Sequence, residues 1–260
     1  MAGDSMLHHL DPRTKIASII TLMGGGLTGS TWAPVLLFSA IIVIAALLSR
    51  LRPALLLRNL RSFAWLLGLT AVLHALMTPG ESLYYHEGLD LGVTREGLYS
   101  AALFTMRLVA VITAAALLTL TTSPMELTDG LERLLGPLRR VGVPAHELAL
   151  MASISLRFIP VLAEEAERLQ KAQMARGADF GGGPLRRARR LVPLLVPLFL
   201  SAFSRADRLA LAMEARGYRG GEGRTQYRQL RLRRGDAVAL AVTALSLAGL
   251  ITLSWASIER

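Results

Sequence analysis

Few residues in this chain could do chemistry, and those few are poorly placed for it. Cysteine is absent, which removes disulfides, thiolate metal ligands and thiol nucleophiles. No Gly-x-x-x-x-Gly-Lys-Ser/Thr run occurs, so a phosphate-cradling loop of that kind is missing. Gly181-Gly182-Gly183 lacks the lysine and reads as a linker. His8 and His9 are adjacent and would face different ways on a helix, and no His/Glu cluster has metal-ligand spacing. Arg107 sits near the middle of an apolar run, where a charge is a functional candidate by default. No acid shares those apolar runs, so it meets either backbone carbonyls or a partner protein. His74 and Arg107 make a poor catalytic pair. The expectation is therefore no catalytic residue, no cofactor and no metal site.

The residues that do form a pattern are duplicated. Ala166-Glu167-Arg168-Leu169 through Ala175-Arg176-Gly177 aligns, forty residues on, with Ala206-Asp207-Arg208-Leu209 through Ala215-Arg216-Gly217. Seven of the twelve positions are identical, and Glu167 and Asp207 share a charge. A single Arg before Gly at a helix end is usually local structure: Gly closes the helix in the left-handed region and Arg complements the negative end of the helix dipole. Two copies with matched flanks ask for more. Small Ala, a projecting guanidinium and a tight Gly stop make a plug, and the planar fork of Arg grips carboxylates or carbonyls at two points. Two equal plugs suit a partner with two equal grooves, as an ATPase dimer presents.

The elements that carry these tips belong to a membrane protein. Of 260 residues, 52% are hydrophobic, with a mean hydropathy of +0.44. The net charge is +10, but the basic residues flank apolar runs, which argues against nucleic acid. No cleavable signal peptide is visible. A bilayer core takes roughly 20 apolar residues per helix. Ile16 to Ser49 is uncharged over 34 residues, and Gly29, Ser30, Thr31 and Pro34 break it into two short helices. Further spans are expected from about Phe63 to Thr78, Leu98 to Thr122 and Ala237 to Ile258. The Gly24-Gly25-Gly26 run in the first of these five spans would let helices approach closely.

Charge orients the spans. Arg13 and Lys15 precede the first, and Arg50, Arg52, Arg58 and Arg61 fill the loop after the second. The loop from Pro79 to Gly97 instead holds Glu81, Glu87, Asp90 and Glu96 against Arg95. By the positive-inside rule the N-terminus and residues 123–236 are cytoplasmic, and the C-terminus is outside. The expected division is 1–122 for four spans, 123–236 for a cytoplasmic domain and 237–260 for the last span.

Within 123–236, Ser123, Pro124 and Glu126 mark a helix start, and the amphipathic helix ends near Gly136-Pro137. Pro144 opens a second helix reaching Gly177, and a third runs from about Leu185 to Gly217. Pro160, Pro193 and Pro197 should bend them. Leu191 to Phe203 has thirteen uncharged residues, too few to span and too apolar for water. It reads either as a buried core helix or, better, as an apolar platform for a membrane-protein partner.

At this point the residues resemble a family, the transmembrane T component (EcfT) of energy-coupling factor transporters, with its cobalt-type relative CbiQ. The resemblance rests on Leu10-Asp11-Pro12-Arg13-Thr14-Lys15, on Thr121-Thr122-Ser123-Pro124, and on the two Ala-Arg-Gly motifs. It implies an all-α membrane protein of about five spans with a cytoplasmic domain of long amphipathic helices. It implies two ABC ATPase subunits holding Ala175, Arg176, Gly177 and Ala215, Arg216, Gly217. It also implies a small substrate-binding membrane protein, the S component, against Leu194, Leu195, Val196, Leu198 and Phe199. Vitamin or metal-ion uptake would follow, with ATP hydrolysed by the partner chains.

Two rival functions fit less well. An intramembrane enzyme needs two polar catalytic residues at membrane depth. A self-sufficient carrier or channel needs polar residues along several spans, whereas these are Leu, Val, Ala and Ile almost throughout.

Overall fold

The computed structural model describes residues 5–29, 31–86, 91–137, 142, 144–220 and 233–256. Glu87, Asp90, and the end of the last expected span beyond Ala256 lie outside them. The architecture is helical: α1 (Pro12–Thr28), α2 (Trp32–Leu48), α3 (Pro53–Ser62), α4 (Ala64–Met77), α5 (Arg95–Thr121), α6 (Pro124–Leu135), α7 (Ala145–Ala175), α8 (Pro184–Ala215) and α9 (Arg234–Ala256). One short antiparallel hairpin, β1 (Ser82–His86) and β2 (Leu91–Thr94), joins α4 to α5. The chain divides into two units, residues 1–130 with 229–260, and residues 131–228.

In the first unit α5 is central, packed by α1, α2, α3 and α4, while α9 lies against α1 and α2. Phe38 and Leu250 are fully buried among Leu22, Ile42, Ala110, Ala114 and Leu117. Lipid tails are as apolar as leucine, so close packing rather than escape from water must join such helices. Two of the three successive glycines of α1 supply it. A Cβ at Gly25 would lie 2.7 Å from Leu247 of α9, and one at Gly26 would lie 2.7 Å from the Phe38 ring of α2. The outer surface is apolar: Leu47, Trp65, Leu245 and Trp255 are each more than two-thirds exposed, a surface suited to lipid.

Helix ends follow from local sequence. The Asp11 carboxylate accepts from the Arg13 N–H at 3.0 Å to cap α1, with Pro12 in its first turn. Ser123 and Glu126 form a reciprocal capping box at α6: the Glu126 N–H donates to Ser123 Oγ at 3.3 Å, and the Ser123 N–H to Glu126 Oε2 at 3.2 Å.

By length and composition α5, α7 and α9 could each cross a membrane, and α3 with α4, bent by 58° at Phe63, could form a fourth crossing. At 17 residues, or about 25 Å, α2 sits at the lower limit, and the equally long α1 carries Arg13 and Lys15 in its first turn. Two features differ from the sequence expectation. The arginine-rich connection after α2 is helical as α3, and the acidic loop contains the hairpin. In the second unit α7 packs on α8.

Candidate functional site

The duplicated ends of α7 and α8 close in the same way. The Gly177 N–H donates to the Met174 carbonyl at 2.9 Å and the Ala178 N–H to the Gln173 carbonyl at 3.0 Å. At the second end the Gly217 N–H donates to Glu214 at 2.9 Å and the Tyr218 N–H to Met213 at 2.9 Å. This double return is the Schellman closure, which requires a left-handed residue after the cap. Gly177 at φ +89° and Gly217 at φ +77° take that place. Arg176 and Arg216 are the caps themselves, in matching backbone conformations.

All six tip residues, Ala175, Arg176, Gly177, Ala215, Arg216 and Gly217, are exposed. Among the described residues no hydrogen bond or ion pair joins one tip to the other, and neither guanidinium has an ion-pair partner. A Cβ at either glycine would meet nothing within 4 Å. The tips are therefore closed by backbone hydrogen bonds, open in surroundings and positively charged.

An ion pair marks where their two helices meet. Arg205 Nη2 of α8 donates to Glu165 Oε2 of α7 at 3.1 Å, with both side chains about one-quarter to one-third exposed. The two residues are forty apart, the same offset as the repeat, so α7 and α8 meet at equivalent positions. Each arginine cap then lies eleven residues, about 16 Å of helix, beyond that meeting point. The matched segments of the repeat begin one residue after this pair, because Glu165 and Arg205 are not alike. The offset itself is the sequence signal that points to it.

The apolar stretch of α8 is mixed in exposure. Leu194 is buried, Leu198 is half-buried, and Leu195, Val196 and Phe199 are exposed, Phe199 stacking on Phe203 at 6.5 Å. Of the five residues expected to face a membrane partner, three are open on the chain's own surface.

The N-terminal signature has a separate structural purpose within the first unit. Lys15 is buried, and its Nζ donates to the Thr121 carbonyl at 3.0 Å and the His8 carbonyl at 3.1 Å. Thr121 is the last residue of α5, so the ammonium satisfies a carbonyl that no later turn can reach. The Asp11 N–H donates to Asp236 Oδ1 at 2.7 Å, and the Arg233 N–H to Asp236 Oδ2 at 2.7 Å. Asp236 is 1% exposed and acts as the reach-back acid at the start of α9. One polar knot thus ties the ends of α1, α5 and α9 where the chain leaves for α6 and returns from α8. Gly130 of α6 seats on it, its position leaving a Cβ only 3.0 Å from Pro12.

Arg107 is buried and donates through Nη2 to the Gly29 carbonyl at the end of α1, with its guanidinium carbon 5.0 Å from the Phe104 ring centroid. Of the two partners open to it in the sequence, the backbone carbonyl is the one met within the chain. His74 lies on the same Phe104 ring, at 4.3 Å between centroids, and its Nδ1 pairs with the Thr70 carbonyl. Among the described residues no group of three His, Asp or Glu is arranged to hold a metal ion.

Comparison with known proteins agrees with this architecture. The CbiQ family, described as cobalt transport protein, matches residues 3–227. The energy-coupling factor transporter transmembrane protein EcfT of Thermanaerovibrio acidaminovorans is 51% identical, covering 96% of this chain and 93% of that protein. The proteins of the same name from Thermosediminibacter oceani and Bacillus subtilis are 49% and 44% identical, each over 96% of this chain and 94% of their own length. With matches of that identity along nearly its whole length, the chain belongs to the EcfT/CbiQ family, the transmembrane component of energy-coupling factor transporters.

Proposed function

We propose that the chain is the coupling subunit of an ATP-driven importer, passing motion from two ATPase subunits to a small substrate-binding membrane subunit. The observation that carries this reading is the pair of exposed Ala-Arg-Gly tips, closed alike and set equally far from the Glu165–Arg205 contact. Two like cationic plugs on crossing helices are what two like grooves on an ATPase dimer would engage. Closure of that dimer would move both tips, and α7 and α8 would carry the displacement to the exposed apolar face at Leu195, Val196 and Phe199. The chain itself is non-catalytic in this scheme, and the partner subunit holds the substrate. The cargo in this reading is a vitamin or a metal ion, and the family description, cobalt transport protein, supports the metal ion.

Orientation follows from charge. The polar knot around Lys15, the arginines of α3 and the tips stand on the cytoplasmic side, and the β1–β2 hairpin stands outside. The apolar first half of α7 then lies along the inner membrane surface rather than across it.

Pull-down of co-expressed ATPase subunits tests the assignment. Arg176→Ala and Arg216→Ala should each weaken recovery, and the double variant should lose the ATPases while keeping the membrane partner. Lys at both positions keeps charge but not the two-point fork, so it should rescue only in part. Undiminished ATPase recovery with the double Ala variant would sink the proposal.

A further inference from the structure

We infer that the groove between α3 and α5 is a binding site for an anionic glycerophospholipid. The groove encloses about 420 Å³, within the range of small-molecule sites. Leu55, Arg58, Asn59 and Phe63 form its α3 side, and Ile112 and Thr119 belong to the α5 side. Its two kinds of lining suit two parts of one molecule. The Arg58 guanidinium and the Asn59 amide offer donors to phosphate oxygens, and the Thr119 hydroxyl, which donates to the Ala115 carbonyl at 3.0 Å, keeps lone pairs for a glycerol hydroxyl. Leu55, Phe63 and Ile112 offer an apolar wall to an acyl chain.

Three observations choose this occupant. First, α3 has ten residues, too few to cross a bilayer, and leaves the axis of α4 by 58° at Phe63. Leu55, Leu56 and Leu60 are half-buried on one side of it while Arg52, Arg58 and Arg61 are exposed, the pattern of a helix lying in the interface. Second, charge is one-sided. Arg50, Arg52, Arg58 and Arg61 fall within twelve residues, and no acid occurs between Asp11 and Glu81. Among the described residues none of the four has an ion-pair partner. Third, two of the residues that line the groove are large exposed apolar side chains, Phe63 at 39% and Leu120 at 37%. A soluble anion would leave that apolar wall wetted, and a neutral lipid would leave Arg58 without a counter-charge. This inference rests on the membrane location of the chain and not on the ATPase-coupling reading.

The test uses the full-length chain in nanodiscs of phosphatidylcholine with a minority of phosphatidylglycerol, followed by native mass spectrometry of the lipids it retains. Phosphatidylglycerol should be retained in preference to phosphatidylcholine. Arg58→Gln should reduce that preference about fivefold, the equivalent of about 1 kcal/mol per basic residue near an anionic surface. Arg61→Gln removes an equal charge outside the groove lining and should change it far less. Thr119→Trp fills the groove from an exposed position at unchanged charge and should abolish retention. Equal retention of both lipids, or equal losses for Arg58→Gln and Arg61→Gln, would overturn the site. So would displacement by glycerol phosphate alone, which would make it a soluble-anion site. A single cysteine at Thr119 that cross-links to a membrane partner in the assembled complex would place a protein there and overturn the lipid assignment as well.

Discussion

Replacing Gly177 and Gly217 isolates the shape of the tips from their charge. Both glycines stand at positive φ, +89° and +77°, and a Cβ at either would touch nothing within 4 Å. A side chain there is therefore opposed by backbone strain alone and by no collision. Alanine in the left-handed region costs roughly 1–2 kcal/mol. At 1.4 kcal/mol per tenfold, each Gly→Ala change should lower the closed-to-open equilibrium constant of its tip about 5- to 30-fold. Asparagine tolerates that region better than alanine, and valine tolerates it least, so the expected order of function is Gly, Asn, Ala, Val. Two readouts separate cause from consequence. Amide exchange at Ala178 and Tyr218, whose N–H groups close the two tips onto Gln173 and Met213 at 3.0 and 2.9 Å, should quicken in that order. Affinity for the ATPase pair, titrated on the reconstituted chain, should fall in step, because a frayed end no longer presents Arg176 or Arg216 in a fixed direction. If valine at both positions binds the ATPases as well as glycine does, the tip conformation is irrelevant to coupling and the reasoning fails.

Other outcomes follow from the same geometry. Since the native chain has no cysteine, single cysteines at Gly182 and Ser257 should react with an impermeant label from opposite faces of the membrane; labelling from one face would refute the charge-derived orientation. Lys15→Met removes two charge-assisted hydrogen bonds, each worth about 1.5–3 kcal/mol, and should lower the apparent melting temperature clearly while Lys15→Arg lowers it less. An unchanged melting temperature for the Met variant would show that the knot at the ends of α1, α5 and α9 does not hold the first unit together.

Much of this protein is local and can be read from order along the chain. Runs of uncharged residues place α1, α2, α4, α5 and α9 to within a few residues, because the charges, glycines and prolines that end an apolar helix act locally. Ser123 with Glu126, and the glycines at 177 and 217, mark helix ends because caps act through neighbours three to five residues away. The Ala-Arg-Gly duplication needs no structure at all. Local signals also mislead. Four arginines near residues 50–61 read as a loop, although Leu55, Leu56 and Leu60 form an apolar side that makes the segment an amphipathic helix. Ser82-Leu83-Tyr84-Tyr85-His86 reads as part of an acidic loop, although its aromatic residues favour the extended backbone of a strand.

Tertiary structure alone decided the pairings that join distant residues. Nothing near Arg107 in sequence says that its guanidinium meets the carbonyl of Gly29, or that Lys15 reaches the end of α5 at Thr121. Both are buried cations satisfied by backbone carbonyls, and every residue carries such a group, so residue type cannot name the partner. The same holds for the glycines of α1. Composition allowed three to serve close approach, but packing gave Gly25 to α9 and Gly26 to α2 and left Gly24 free. The Glu165–Arg205 contact completes the pattern. The repeat made two equal tips, but only the crossing of α7 on α8 set them equally far from one shared point, because helix direction comes from side-chain packing and not from helix propensity.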